Sequence, residues 1–372
     1  MTNVSSVKSV SHTGSIQEWF EGRTNLRAAF LARHGWGDAQ ISAVGEDCAF
    51  RRYMRLQKGK QSAVLMEAVP DGHAIATPGH SLSDFVRIGA ALRDFGLHTP
   101  RIYEADEENG YLLLEDFGDV SFKAALARGV DQKELYGLAT DVLRHLAQGP
   151  QRLDLPDYYA GHVHTGRRRI VDWYMPTVRG TKNPDGLVED YLAVWDSIEV
   201  ELPPCPQGFL HGDFHVENLM WLPDGAGLDR CGVLDFQGAM QGPLPYDLAN
   251  LLEDVRIDVP EDQRAAMLAR YCAGMSADAR AGFTCWYRVL ATQFHCRVAG
   301  QFIRLAIRDG KTRYLQYLPR VAGYMRAGLE DPVLAPLKAW FDAQGMDFLS
   351  VPASNPGSHP ALDPDVIRDD AF

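Results

Sequence analysis

Residues 209–250, FLHGDFHVENLMWLPDGAGLDRCGVLDFQGAMQGPLPYDLAN, constrain this chain more than any other stretch. Asp213 follows His211 by two residues, and Asn218 follows Asp213 by five. A Pro/Asp/Gly-rich turn, Pro223 to Gly227, comes next, and then a short apolar run, Cys231 to Leu234, that ends at Asp235. A lone Asp before an Asn in a loop is usually turn chemistry. A polar loop followed by a hairpin that delivers a second carboxylate is far more specific. Phosphoryl transfer from ATP needs this set: one carboxylate to orient an acceptor hydroxyl and take its proton, and an amide oxygen with a second carboxylate to hold Mg²⁺. Asp213 is the candidate base, and Asn218 and Asp235 are the candidate metal ligands.

The HGDxHxxN spacing with Asp-Phe some twenty residues later resembles the aminoglycoside phosphotransferase and choline kinase superfamily, a branch of the protein-kinase-like fold. There HGDxxxxN stands for the HRDxxxxN of protein kinases, and a D-x-x segment stands for DFG. The implied fold is α+β, with a five-stranded antiparallel N-terminal lobe carrying one helix and a larger, mostly helical C-terminal lobe. The implied boundaries are a nucleotide-binding lobe and hinge at 1–118, a helical lobe with the catalytic loop and substrate site at 119–349, and a loose tail at 350–372.

The pattern along the chain agrees with that architecture. The polar residues 1–14 are expected to be loose. Ile16 to His34 suggests one or two short helices stopped at Gly35 and Gly37. Three β-like runs follow, Ser42–Phe50, Arg51–Gln57 and Ser62–Val69, with Gly59 as a hairpin turn. Leu82 to Phe95 has helical spacing, and Arg101–Ala105 and Tyr111–Leu114 complete five strands. From Ser121 the pattern is helical to about Gly345, interrupted by the turn cluster 179–186 and the catalytic stretch.

Composition narrows the function classes. A net charge of −12 argues against a nucleic-acid binder, which needs a basic face. No apolar run approaches the ~20 residues that span a bilayer, and the N-terminus lacks a secretory apolar core. The six cysteines show no zinc spacing and read as reduced thiols. A cytoplasmic monomer acting on a small sugar and a nucleotide is the expectation, without membrane or nucleic-acid partners.

The residues around the catalytic stretch take supporting roles. His211 and His215 read as hydrogen-bonding braces of the loop rather than metal ligands, because Mg²⁺ prefers oxygen. Asp247 resembles the family aspartate that accepts backbone hydrogen bonds from the catalytic loop, and equally reads as a helix N-cap. The resemblance makes Glu115-Asp116-Phe117-Gly118 the hinge, with the Glu115 carbonyl and the Phe117 amide pairing with adenine. Most members carry a lysine on the third strand and a glutamate on the inserted helix. Met66 stands at the lysine position here, and the helix offers no glutamate partner. Arg51, Arg52 and Arg55 are the available replacements. Side chains alternate along a strand, so only one of the adjacent pair faces inward. Arg52 is the expected one, with Phe50 on its face and Arg51 outward with Tyr53.

Several further stretches, CAFRRYMRL, LMEAVP, LLLEDFGD, VDWYMP, DFQGAMQGPLPYDLANLL and RLAIRDGKTRYLQYLPRVAGYM, resemble the bacterial cell-wall amino-sugar kinases from about residue 16 to about 345. The resemblance implies ATP- and Mg²⁺-dependent phosphorylation of the anomeric hydroxyl of N-acetylmuramate and N-acetylglucosamine in peptidoglycan recycling. An anomeric hydroxyl is acidic for a sugar, so a weak carboxylate base suffices. The lactyl carboxylate of muramate wants a cation, for which Arg167–Arg169, Arg179, Arg288 and Arg297 are candidates. Trp173 and Tyr174 are candidates to pack against a sugar ring, with core packing as the competing reading. Phosphorylation of an aminoglycoside, choline or homoserine is the alternative chemistry, and a pseudokinase binding module is the alternative class.

Overall fold

The eight residues Arg51–Lys58 run extended, Gly59 adopts a left-handed φ of 61°, and the chain returns as a second strand from Gln61. A tight hairpin is the result, the centre of a five-stranded antiparallel sheet. The computed structural model describes residues 18–44, 51–76, 81–149 and 153–348. The strands are β1 (Gln40–Ala43), β2 (Arg51–Lys58), β3 (Gln61–Ala68), β4 (Ile102–Asp106) and β5 (Tyr111–Leu114), in the order β1-β2-β3-β5-β4. Residues 45–50, the N-terminal residues 1–17 and the tail from 350 lie outside the described residues. The first strand lies earlier than expected, at 40–43.

The chain divides into two compact units. The first runs to Ala124 and takes in Met220–Gly238; the second comprises Ala125–Leu219 and the chain from Ala239. In the first unit, one sheet face (Leu56, Ala63, Leu65, Tyr111, Leu113) buries against Phe30 and Leu31 of α1 (Thr24–Arg33). Glu67 shares that face, fully buried, and is ion-paired to Arg27 at 2.9 Å. The inserted helix α2 (Leu82–Asp94) starts where Ser81 Oγ accepts from the Asp84 amide at 3.1 Å. The Asp71 carboxylate reaches the same end and accepts from the amides of Leu82 and Ser83. A hairpin of β7 (Leu219–Trp221) and β8 (Cys231–Val233) belongs with this unit.

Helices dominate the second unit. They are α4 (Gln132–Leu146), α5 (His162–Thr165), α6 (Met175–Arg179), α7 (Leu187–Val200), α8 (Pro245–Leu252), α9 (Glu261–Tyr271), α10 (Ala277–Asp309), α11 (Leu318–Leu329) and α12 (Ala335–Ala343). The short α3 (Phe122–Ala127) crosses the unit boundary, and β6 (Gln207–Leu210) pairs with β9 (Met240–Pro243). The core gathers around the 33-residue α10, capped by Ser276 and stopped at Gly310 (φ 67°). Residues 170–174, read from the sequence as an ordinary helix, form a π-helical turn. This turn presses on α10 at Gly300, where a Cβ would lie 2.0 Å from the Arg169 carbonyl oxygen. Only glycine permits that approach.

Candidate active site

Strand β6 ends at Leu210, and the chain turns through Gly212 (φ 86°) into the loop that carries Asp213. The Asp247 carboxylate, from the first turn of α8, accepts from the amides of His211 (2.6 Å) and Gly212 (2.9 Å). It is fully buried, and burial raises its pKa against the pull of His211 and those two amides. The loop is thereby anchored just before the candidate base. His211 Nδ1 accepts from the Asp213 amide at 3.3 Å.

Two partners define the Asp213 side chain. His215 Nδ1 accepts from the Glu217 amide at 3.2 Å, which leaves the proton on Nε2, 3.3 Å from Asp213 Oδ2. Burial alone would raise the Asp213 pKa, but His215, Arg256 and Arg297 outweigh it and hold the carboxyl well below the usual range. The effect on His215 is reciprocal: burial lowers its pKa, and Asp213 raises it further than that. Asp213 is thus an ionised carboxylate, half exposed (51 %), held at a fixed angle. Asn218 Nδ2 donates to the Asp213 carbonyl at 2.9 Å, which leaves the amide oxygen as the group free to bind a cation. Arg256 is a residue that sequence reasoning passed over. It pairs with Glu217 (2.9 Å) and Asp254 (3.0 Å) and lies within electrostatic reach of Asp213, yet no motif marks it.

The nucleotide-side candidates belong to the first unit. Asp235 follows β8 with φ 59°, a left-handed conformation that non-glycine residues seldom adopt. Gln237 Nε2 donates to its Oδ1 at 2.5 Å. Phe236 packs on Phe85 of α2 with ring centroids 4.9 Å apart, and a Cβ on Gly89 would lie 2.9 Å from its ring. The next ring and helix therefore fix where the Asp235 carboxylate can stand. In the 115–118 segment, Asp116 receives a bidentate pair from Arg55 (2.8 and 2.9 Å) and the Gly118 amide (2.9 Å). Burial opposes the Asp116 charge, but these donors hold its carboxyl below the ordinary value. Arg55 also reaches Asp119 at 2.6 Å, so it is committed to this turn and is withdrawn as a phosphate ligand. The Phe117 ring stacks edge-on with His98 and lies against Gly232. The Phe117 amide and the Glu115 carbonyl have no hydrogen-bond partner among the described residues.

The register corrects the expectation about Arg51 and Arg52. Tyr53 lies opposite Met66 and Arg51 opposite Ala68. Residues directly opposite in an antiparallel pair share a face. Arg51 therefore shares the face of Met66, and Arg52 points to the other, its guanidinium 4.5 Å from the Phe20 ring. Arg51 is only 5 % exposed, and its Nε and Nη2 have no hydrogen-bond partner among the described residues. Strand alternation says that Arg51 and Arg52 differ in face, and a shared face with Phe50 does not fix which of them sits with Met66; only the pairing of β2 with β3 does.

Residues 40–282 match the phosphotransferase enzyme family APH. An N-acetylmuramate/N-acetylglucosamine kinase of Caulobacter vibrioides is 33 % identical over 86 % of this chain and 96 % of its own length. This chain belongs to the APH phosphotransferase family. A second relative of the same description, from Pseudomonas aeruginosa, is 32 % identical over 84 % of this chain and 91 % of its own length. Among solved structures, Plasmodium vivax ethanolamine kinase (TM-score 0.53, 10 % identity) covers 80 % of this chain and 84 % of its own. The choline kinase of Cryptosporidium parvum (TM-score 0.52, 11 % identity) covers 86 % and 99 %. These two share the fold, which is the two-lobe α+β class expected from the sequence. The APH chain is an enzyme that transfers phosphate.

The expected sugar-side residues fare differently. Trp173 and Tyr174 are 3 % and 2 % exposed within the core around α10, so neither presents a ring to a ligand. Their helical spacing carries them inward because the π-helical turn lies against α10. Arg288 is engaged by Glu253 at 3.3 Å, in a buried group with His295 and Tyr287, and faces Asp331 at 3.8 Å. Arg179 donates to the Gln344 carbonyl at 2.8 Å. Among the described residues no helix is long and apolar enough to cross a membrane, and no group of three His, Cys, Asp or Glu side chains forms a metal cluster.

Proposed function

We propose that this phosphotransferase is an ATP-dependent kinase of N-acetylmuramate and N-acetylglucosamine that phosphorylates the anomeric hydroxyl. The observation that carries the chemistry is the ionised Asp213, anchored through its loop by Asp247 and faced by the Nε2 proton of His215. The sugar assignment draws on the relatives' descriptions. A carboxyl held so acidic is a weak base. It works by orienting the acceptor oxygen and taking the proton late, when the O–P bond is largely formed. An anomeric hydroxyl, acidic for an alcohol, suits such a base.

Asn218 and Asp235 would hold Mg²⁺. Both offer hard oxygen donors, and the Asn218 amide already spends its nitrogen on the Asp213 carbonyl. The ion, when bound, neutralises phosphate charge. Glu115 and Phe117 would pair with adenine through backbone groups that have no hydrogen-bond partner among the described residues. Arg51 would face the phosphates, replacing the missing lysine. A buried guanidinium without a partner is costly, and a bidentate phosphate contact relieves that cost.

The test is ATP consumption with N-acetylmuramate, N-acetylglucosamine, kanamycin and choline offered separately. Consumption with the two sugars, accompanied by loss of reducing-sugar reactivity, is expected, because phosphorylation at C1 blocks ring opening. Turnover with kanamycin or choline alone would replace this reading. Nucleotide binding without turnover on any acceptor would favour a binding module.

A further inference from the structure

Arg169 lies in the second unit, between a 3-10 turn (Gly166–Arg168) and the π-helical turn. It is 7 % exposed, yet its side chain has no hydrogen-bond or ion-pair partner among the described residues. Burial pushes its pKa down to about 9, and Arg297, Arg304 and Arg308 push the same way, with Asp172 opposing. Asp172 is already taken by Arg168 at 2.8 and 3.1 Å, and Arg308 pairs with Asp309 at 2.8 Å. A buried cation without a counter-ion costs several kcal/mol and is retained only where something supplies the missing charge.

The neighbour of Arg169 leads to the catalytic loop. A Cβ on Gly166 would lie 3.0 Å from Arg169 Nη1 and 3.0 Å from Arg297 Cδ, so the two arginines flank that glycine. Arg297 projects from α10, and its Nη2 donates to Tyr246 Oη at 3.0 Å. Its Nε has no hydrogen-bond partner among the described residues. Tyr246 precedes Asp247, the loop anchor, and Arg297 is one of the charges that depress the Asp213 carboxyl. Arg297 thus stands within electrostatic reach of Asp213, and Arg169 lies next to it across Gly166.

We propose that Arg169 and Arg297 form a carboxylate subsite that binds the lactyl carboxylate of N-acetylmuramate and favours this acidic sugar over its neutral counterpart. The inference rests on the kinase reading above for the identity of the acceptor. Planar guanidinium forks match a carboxylate bidentately, and Gly166 leaves room for both side chains. The same positive charge repels a polycationic aminoglycoside, so the subsite separates this chain from drug-modifying members of its fold. N-acetylglucosamine, lacking the lactyl group, would leave both arginines unused and bind through the rest of the site.

Calorimetric titration without nucleotide tests it, using N-acetylmuramate and its neutral carboxamide as the two probes. The parent should bind the acid about 10- to 100-fold more tightly than the amide, the range of a charge-assisted hydrogen-bonding site. R169Q should erase that preference, and R169K, which keeps the charge but loses the fork, should restore part of it. Equal affinity of the parent for acid and amide would overturn the subsite, and this comparison needs no variant to fold. Equal weakening of both probes in a folded R169Q would also overturn it, by marking a structural role. Acid preference without phosphate transfer would fault the kinase reading alone, and transfer to both sugars without acid preference would fault the subsite alone.

Discussion

Asp213 and Arg51 carry the sharpest consequences at the level of single residues. D213N removes the charge that orients the acceptor but keeps the shape of the side chain. Turnover should fall by about 10²–10⁴-fold, with nucleotide affinity near that of the parent. Steady-state rates beside nucleotide titrations would show it, and undiminished turnover would remove Asp213 from the reaction. R51A should weaken ATP binding by about 10- to 100-fold, the value of hydrogen bonds to a charged partner. R52A, whose guanidinium lies over Phe20 on the opposite sheet face, should bind ATP as the parent does. R51A should also melt no lower than the parent without nucleotide, since it deletes a buried cation whose Nε and Nη2 have no hydrogen-bond partner among the described residues. Equal ATP affinity in both variants would place the phosphate cation elsewhere.

Two elements are held by single close approaches. The catalytic loop hangs from α8 by the Asp247 carboxylate. D247A leaves two buried amides without an acceptor, at about 1–3 kcal/mol each. Its melting temperature and its kcat should both fall, and D247N, which keeps one acceptor oxygen, should recover part of each. Unchanged melting would mean that water replaces the carboxylate. The second approach joins the π-helical turn to α10 at Gly300. G300A would drive a methyl group into the Arg169 carbonyl, and overpacking of this kind costs about 1–3 kcal/mol or more. For a chain of this size each kcal/mol lowers Tm by about 2–4 °C. A melting curve superimposable on the parent's would show that the turn gives way.

Over the whole molecule, acid stability should bear the mark of one buried histidine. His164 packs against the Tyr158 and Tyr159 rings, tilted to one and edge-on to the other, and burial, with Arg167 adding to it, pushes its pKa down to about 3. The unfolded chain takes up that proton near 6.5, whereas the folded chain does not. More protons bound in the unfolded state means stability that rises with pH, so His164 costs stability as pH falls from about 6.5 towards 3. The slope approaches 1.36 kcal/mol per pH unit. H164Q should flatten the decline in Tm between pH 6.5 and 5, and an unaltered slope would assign the acid sensitivity to other groups. Asp116, Glu253 and Asp213, whose carboxyls are all depressed, add stability above the ordinary carboxylate range that is lost only at lower pH.

What the sequence determined by itself was local. The five-residue step from Asp213 to Asn218 keeps both in one loop whatever surrounds it, and the ends of α2 and α7 follow from nearby caps and turn residues. Strand and helix periodicity agreed with the two-lobe class that the family resemblance implied. Tertiary structure decided whatever depends on residues far apart. Alternation separates Arg51 from Arg52, but only the pairing of β2 with β3 says which shares the face of Met66. Arg55 looked free until the fold brought Asp116 to it, 61 residues away. Trp173 and Tyr174 have the side chains of a sugar platform, yet packing against α10 made them core. Arg169 and Arg297 come from distant stretches, and their approach around Gly166 has no trace in spacing or motif. Periodicity encodes what a residue's neighbours in the chain dictate, whereas register, burial and charge convergence are set by partners that only folding brings near.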